Sequence, residues 1–327
     1  MIPEPQQVER FRSDLDRLVP GAQRLGISVS GGPDSLALLL LASAARPGLI
    51  GAATVDHALR EESRGEAEMV AALCRRLGVP HCILTAEWSA KPASAIQERA
   101  RAERYRLLGR WAEAEGLGAL LTAHHADDQA ETLLMRLSRG AGVRGLAAMR
   151  CIGPMPGSDI PLVRPLLGWR RRELEEICTA AGLDPAHDPS NADDRFERIR
   201  VRRALMDGEW LNAAAVARSA AHLAEADAAL DWAADLEWAR NVTHSPEGAV
   251  YRPWDAPPEI RRRIVARIIE RLGTEGPDEL RGRELDGLLA TLTGGGTATL
   301  RGLRCSGGDN WRFARAQSRR AKAVHRA

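Results

Sequence analysis

The first half of the chain alternates between short apolar runs and longer stretches with helical spacing. Leu25 to Ser30, Leu49 to Val55, His81 to Thr85 and Leu117 to Ala123 read as strands. Between them, Asp34 to Ala45 reads as an apolar helix and Arg64 to Leu77 as a helix stopped by Gly78, with Pro80 beyond it. Ala95 to Gly116 is a long Arg-rich helix, and another runs from about Asp127 to Gly140. Strands alternating with helices of this length predict an open parallel sheet covered on both faces, a doubly wound α/β domain.

Pro154 to Pro161 reads as a turn-rich insertion, and Arg170 to Ala181 is again helical. After Asp207 the pattern changes. Leu211 to Val242 is Ala-rich and helical, helices are predicted over Glu259 to Leu272 and Asp278 to Leu292, and Thr297 to Phe313 alternates like a small hairpin turning at Gly307-Gly308-Asp309. The pattern therefore predicts a catalytic-type α/β domain over residues 1–207. A mainly helical domain with a short C-terminal β-hairpin is expected over 208–327.

At 327 residues and 44% hydrophobic content the chain can bury two cores, and a disordered class is excluded. Basic and acidic residues nearly cancel, 46 against 44, so no general basic coat drives nucleic-acid binding, although local basic faces remain open. Five cysteines without a CxxC pair give no support to a zinc ribbon or an iron–sulfur site and fit a reducing, cytoplasmic setting. No apolar run approaches the length of a bilayer crossing, so no membrane partner is expected.

Candidate chemistry concentrates at two strand-to-helix junctions. The first is Ser30-Gly31-Gly32-Pro33-Asp34-Ser35. Its glycines allow a sharp turn that aims N–H groups at one point, and the helix start behind them favours a phosphate. Asp34 suits magnesium carried on phosphate oxygens, whereas the absence of GK[ST] excludes a Walker A loop. The second is Thr122-Ala-His124-His125-Ala-Asp127-Asp128-Gln129-Ala-Glu131-Thr132. Asp128 and Glu131, three apart, share a helix face, and both junctions fall at carboxyl ends of strands, where open α/β sheets bind ligands.

The first loop resembles the SGGxDS loop of the PP-loop ATP pyrophosphatases, which implies ATP cleavage between the α and β phosphates. The run His124 to Thr132, followed by Arg139-Gly-Ala-Gly-Val-Arg-Gly-Leu146, resembles the signature of the tRNA(Ile)-lysidine synthetase family. Val55-Asp56-His57 with Leu59-Arg60, Arg101 to Tyr105, Arg164-Pro-Leu-Leu167, and Asp188-Pro-Ser-Asn191 with Asp193, Phe196, Arg198 and Arg200 fit it in the same order. A departure is Ala147-Ala148-Met149, where the family often has a further Gly before Met.

The resemblance implies adenylation of the C2 oxygen of the wobble cytidine in a minor isoleucine tRNA with a CAU anticodon. Free L-lysine then displaces AMP, and lysidine forms. Carried onto these residues, Ser30, Gly31, Gly32, Pro33 and Ser35 cradle pyrophosphate, Asp34 takes Mg2+, and Asp56 and His57 lie by the adenosine. Asp128 and Glu131 hold the lysine ammonium, His124 lies near the phosphates, and His125 is expected to pack or orient. Arg101 is expected to neutralise charge on the α-phosphate, and Arg195, Arg198, Arg200 and Arg203 to contact tRNA. Alternatives are a PP-loop tRNA thiolation enzyme and a non-catalytic tRNA-binding relative. A homodimer is compatible with the sequence.

Overall fold

A helix, α1 (Pro5–Leu18), precedes the first strand of the predicted alternation. There follow β1 (Leu25–Ser28), α2 (Pro33–Ala45), β2 (Ile50–Asp56), α3 (Glu62–Leu77), β3 (His81–Thr85), α4 (Ile96–Ala114), β4 (Ala119–Leu121) and α5 (Ala126–Leu137). A single turn, α6 (Val143–Leu146), leads to β5 (Ile152–Met155), β6 (Ser158–Val163), α7 (Arg171–Ala180), α8 (Glu197–Asp207) and α9 (Ala213–Asn241). The computed structural model describes residues 3–58, 62–88, 96–185, 197–207, 211–274, 280 and 282–316. Arg195, the pair Leu59-Arg60 and the segment 186–196 with its Asp-Pro-Ser-Asn run therefore lie outside the described residues.

The strands form a six-stranded sheet in the order β3-β2-β1-β4-β6-β5. All pairs are parallel except the β5–β6 edge hairpin. That hairpin is where the turn-rich insertion was expected. β6 extends the parallel ladder through Leu120↔Leu162 and Leu121↔Val163, whereas β5 carries Pro154 at the sheet edge, where a missing N–H is tolerated.

Helix α2 is apolar all round because it is buried all round, with Leu36 and Leu38 to Leu41 almost wholly inaccessible between α1, α7 and the sheet. Residues of α3 join the same core, while Tyr105 and Leu108 of α4 build a second one on the opposite face. Gly26 lets that second layer close: a Cβ there would stand 2.7 Å from Leu117 and 2.9 Å from Trp111. The chain steps outward from β1 to β2 and β3, then returns past β1 to β4. This reversal opens a crevice at the carboxyl ends of β1 and β4, which is where both candidate motifs begin.

Two compact units divide the chain, residues 1–224 and 225–327. The division falls inside α9 rather than at the expected boundary near 208. Val216, Ala220 and Leu223 pack with Leu133 and Ala148 in the first unit, whereas Asp227 and Asp231 hold Arg263 in the second. The second unit continues with β7 (Val242–Ser245), β8 (Gly248–Tyr251), α10 (Pro258–Leu272), α11 (Gly282–Thr293), β9 (Thr297–Leu300), β10 (Leu303–Ser306) and β11 (Trp311–Arg315). Its strands make a five-stranded antiparallel sheet in the order β7-β8-β11-β10-β9, larger than the single hairpin expected. Tyr251, Ile264, Ile268, Leu292, Trp311 and Phe313 form its core, so Trp311 is a packing residue, but Trp232 and Trp254 are exposed.

Candidate active site

The first junction is shaped by Gly31 and pinned by Ser35. Gly31 has φ +89°, a region that L side chains rarely enter, so the turn out of β1 depends on it. Gly32 is the N-cap residue of α2 and Pro33 sits in its first turn. The buried Ser35 hydroxyl donates to Gly32 O at 2.9 Å and accepts from the Ser30 N–H at 3.1 Å, which folds the loop back over the helix start. Below the loop, the Cys178 thiol donates to Pro33 O at 3.2 Å. The first N–H groups of α2 have no intrahelical acceptor and remain available to an anion.

The second junction is held by a histidine cap. His125 is the N-cap residue of α5 and is 2% exposed. Its Nδ1 accepts from Asp128 N at 3.4 Å, and its own N–H donates to Asp128 Oδ2 at 3.1 Å. The other ring nitrogen, Nε2, lies 3.5 Å from Asp34 Oδ2. His125 therefore joins the two junctions through one buried ring, which assigns it an orienting role. Burial works against its charge, but the hydrogen bond to Asp34 and the carboxylates of Asp128, Asp34 and Asp127 outweigh it, so its pKa is raised. Asp34 Oδ1 is buried and has no hydrogen-bond partner among the described residues. An orphaned carboxylate oxygen of this kind, beside a phosphate-type loop, fits a hard cation held jointly with phosphate oxygens.

A cleft between the junctions is lined by Ser28, Ser30, Gly32, Asp34, Ser35, Arg104, Tyr105, Leu108, Thr122, Ala123 and His124. His124 Nδ1 stands 3.1 Å from Thr122 Oγ1. Burial drives its pKa down to about 4, helped by the charges of Arg164, Arg198 and Arg104 against the pull of Asp128, so the ring is neutral at neutral pH. Arg101 is exposed and stands over the Tyr105 ring at 5.1 Å, with Arg104 over the same ring at 5.3 Å.

Asp56 and His57 are not among the lining residues. The Asp56 carboxylate accepts from Ala58 N and from Ser63 Oγ of α3, and the His57 carbonyl accepts from Trp88 Nε1 at 2.7 Å.

The acidic pair is fully engaged by α8. Arg198 Nε donates to Glu131 Oε2 at 2.6 Å and its Nη2 to Asp128 Oδ1 at 3.1 Å. Arg202 Nε donates to Glu131 Oε1 at 2.6 Å. With His125 N on Asp128 Oδ2, every oxygen of the two carboxylates has a donor. Arg198, expected on tRNA, therefore sits on the acids expected to hold lysine. Arg200 and Arg203 lie on the exposed side of the same helix. Asp127 turns away to Arg170 and the Arg171 N–H, where it caps α7.

The sequence places Arg202 in the Arg-rich run 195–203 and Arg104 beside Arg101, although the expected roles fell to Arg101, Arg195, Arg198, Arg200 and Arg203. The signal was there in the spacing: Arg198 and Arg202 are four apart and Arg101 and Arg104 three apart, so each pair shares a helix face.

Comparison with known proteins places this geometry. The PP-loop domain family matches residues 5–209. The tRNA(Ile)-lysidine synthase of Novosphingobium aromaticivorans is 48% identical, over 95% of this chain and 94% of its own. That of Zymomonas mobilis subsp. mobilis is 42% identical, over 93% of this chain and 92% of its own. The chain belongs to the tRNA(Ile)-lysidine synthase family.

Among solved structures, a U34-tRNA thiolase from Methanococcus maripaludis superposes with a TM-score of 0.57 at 17% identity, covering 67% of this chain and 79% of that one, a likeness of fold. Burial pushes the Cys74 and Cys178 thiols up to about 12 and Cys305 to about 11, and no cysteine lines the cleft. Among the described residues no group of three or more His, Cys, Asp or Glu could hold a metal ion.

Proposed function

We propose that the protein uses ATP to join free lysine to C2 of the wobble cytidine of an isoleucine tRNA with a CAU anticodon, making lysidine. The observation that supports this is the approach of a pyrophosphate-type loop to an acidic helix start, tied together by the buried His125 between Asp34 and Asp128. In the first step the cytidine O2 attacks the α-phosphorus and pyrophosphate leaves toward the loop of Ser30 to Ser35. In the second the lysine ε-amine attacks C2, the C2–O bond to AMP breaks, and the nitrogen loses its proton. A pyrimidine oxygen leaves poorly until it carries a phosphoryl group, which is why ATP is spent first.

Asp34 would hold magnesium through its unpartnered Oδ1, and the ion when bound would neutralise phosphate charge. Neutral His124 stands at the cleft wall as an uncharged proton acceptor. Arg101 neutralises charge growing at the α-phosphorus. Asp128 and Glu131 receive the lysine ammonium once the guanidinium of Arg198 gives up its place. Arg200 and Arg203, and residues of the 208–327 region, contact tRNA phosphates. No described helix is long and apolar enough to cross a membrane.

The test is incorporation of labelled lysine into bulk tRNA from an organism without lysidine, counted after mild alkaline deacylation. Stable, ATP-dependent label that disappears in Asp34→Ala and Asp128→Ala is expected. Absence of stable label with tRNA binding intact would reject lysine as co-substrate.

A further inference from the structure

Gln129 has no part in the chemistry above, yet it stands between the two acids of α5 and is buried, at 6% exposed. Its Nε2 donates to Met149 O at 2.9 Å, and its Oε1 accepts from Met149 N at 2.8 Å. A planar side-chain amide supplies a donor and an acceptor side by side, so it grips both backbone groups of one residue.

The segment that it grips is rigid. Ala148 has φ +50°, which a residue with a side chain keeps only where its surroundings over-determine it. Arg136, also on α5, donates from Nη1 to Gly145 O at 2.8 Å and to Ala148 O at 2.9 Å. Ala147 is fully buried, and Ala148 packs with Leu133 and Ala220.

Successive residues of an α-helix are about 100° apart, so Glu131 points about 160° away from Gln129. Gln129 therefore holds the back of α5, while Glu131 meets Arg198 and Arg202 from the opposite side. The first turn of α5 has tethers of its own. Ala126 N donates to Trp169 O at 2.8 Å, and Asp127 accepts from Arg170 and from Arg171 N. These keep His125 against Asp34 without help from Gln129.

We infer that Gln129 is a positioning residue for the lysine step, locking the roll of α5 so that Glu131, and Asp128 beside it, meet the incoming amine. The inference rests on the ligation proposed above, and Gln129 acts through those acids without touching substrate.

The experiment is steady-state lysidine formation by the full-length protein, with lysine and ATP varied in turn. Gln129→Met removes donor and acceptor at nearly constant length. Gln129→Glu keeps the acceptor for Met149 N but sets a carboxylate against Met149 O, and it carries the test should Gln129→Met fail to fold. The lysine KM is expected to rise about tenfold in Gln129→Met, the size of one misaligned charge-assisted contact, and to rise in Gln129→Glu as well. The ATP KM and tRNA-dependent ATP–pyrophosphate exchange stay within about twofold of wild type, because the first turn keeps its tethers.

An unchanged lysine KM would overturn the inference, and so would lysine and ATP KM values rising together with a lowered Tm. Either result leaves Gln129 as a packing residue. A wild type that forms no lysidine sinks the ligation reading and this inference with it, whereas an active wild type matched by its variants sinks this inference alone.

Discussion

Replacing Arg198 with Ala should tighten the binding of free lysine. In the structure its guanidinium donates to Glu131 at 2.6 Å and to Asp128 at 3.1 Å, the two acids proposed above to receive the lysine ammonium. Substrate must therefore compete with a side chain already in place, and its apparent affinity falls by the fraction of protein in which the acids are open. Two charge-assisted hydrogen bonds would each contribute roughly 1.5–3 kcal/mol in a dry site. Arg198, however, is 40% exposed, and its link to Asp128 is partly screened by solvent. A net advantage of about 1 kcal/mol for the occupied form is the fair figure, and it corresponds to an approximately fivefold tighter lysine Kd in Arg198→Ala.

Glu131 keeps Arg202 in that variant, so the buried acid is not stranded. The assay is equilibrium dialysis with labelled lysine, with Arg198→Lys as the control that retains a competing cation and near-wild-type affinity. Lysine binding that is unchanged or weaker in Arg198→Ala would refute the competition and make Arg198 a part of the lysine site.

Asp34→Asn should abolish lysidine formation and the dependence of ATP binding on magnesium. Its stability should stay within about 1 kcal/mol of wild type, because the amide keeps an oxygen for His125 Nε2 and Oδ1 had no hydrogen-bond partner, as a metal titration and a melt would show. His124 has a folded-state pKa of about 4 against an unfolded value near 6.5, so the folded form binds fewer protons. Stability from its neutral ring is present above the unfolded value and is lost as pH falls towards the folded one. His124→Asn should therefore lose about 1–2 kcal/mol less than wild type between pH 7 and pH 5 in urea melts. Arg263→Ala should destabilise the second unit by roughly 3–5 kcal/mol, since it removes the buried cation paired with Asp227, which is 0% exposed, and a thermal melt with tryptophan fluorescence would report it.

The sequence by itself determined the elements whose signal is local. The period of apolar positions set β1 to β4 and the helices between them. The glycines and Pro33 set the turn before α2, and the run from His124 to Glu131 marked the start of α5. These features depend on neighbours three or four residues away, so the chain spells them out.

Tertiary structure alone decided the rest. The strands β5, β7 and β8 are four residues long and gain their hydrogen bonds from partners elsewhere in the chain or across a tight turn, with little alternation to announce them. The end of the first unit inside α9 follows from which side chains that helix meets, Leu133 early and Arg263 late, and its own composition is Ala-rich throughout. The same holds for the site. Sequence spacing put Asp128 and Glu131 on one helix face, but it carried no record of what faces them. Arg198 and Arg202 reach them across about 70 residues, and the buried His125 meets Asp34 across 91, because charge pairing acts through space and only the folded sheet brings those helix ends within range.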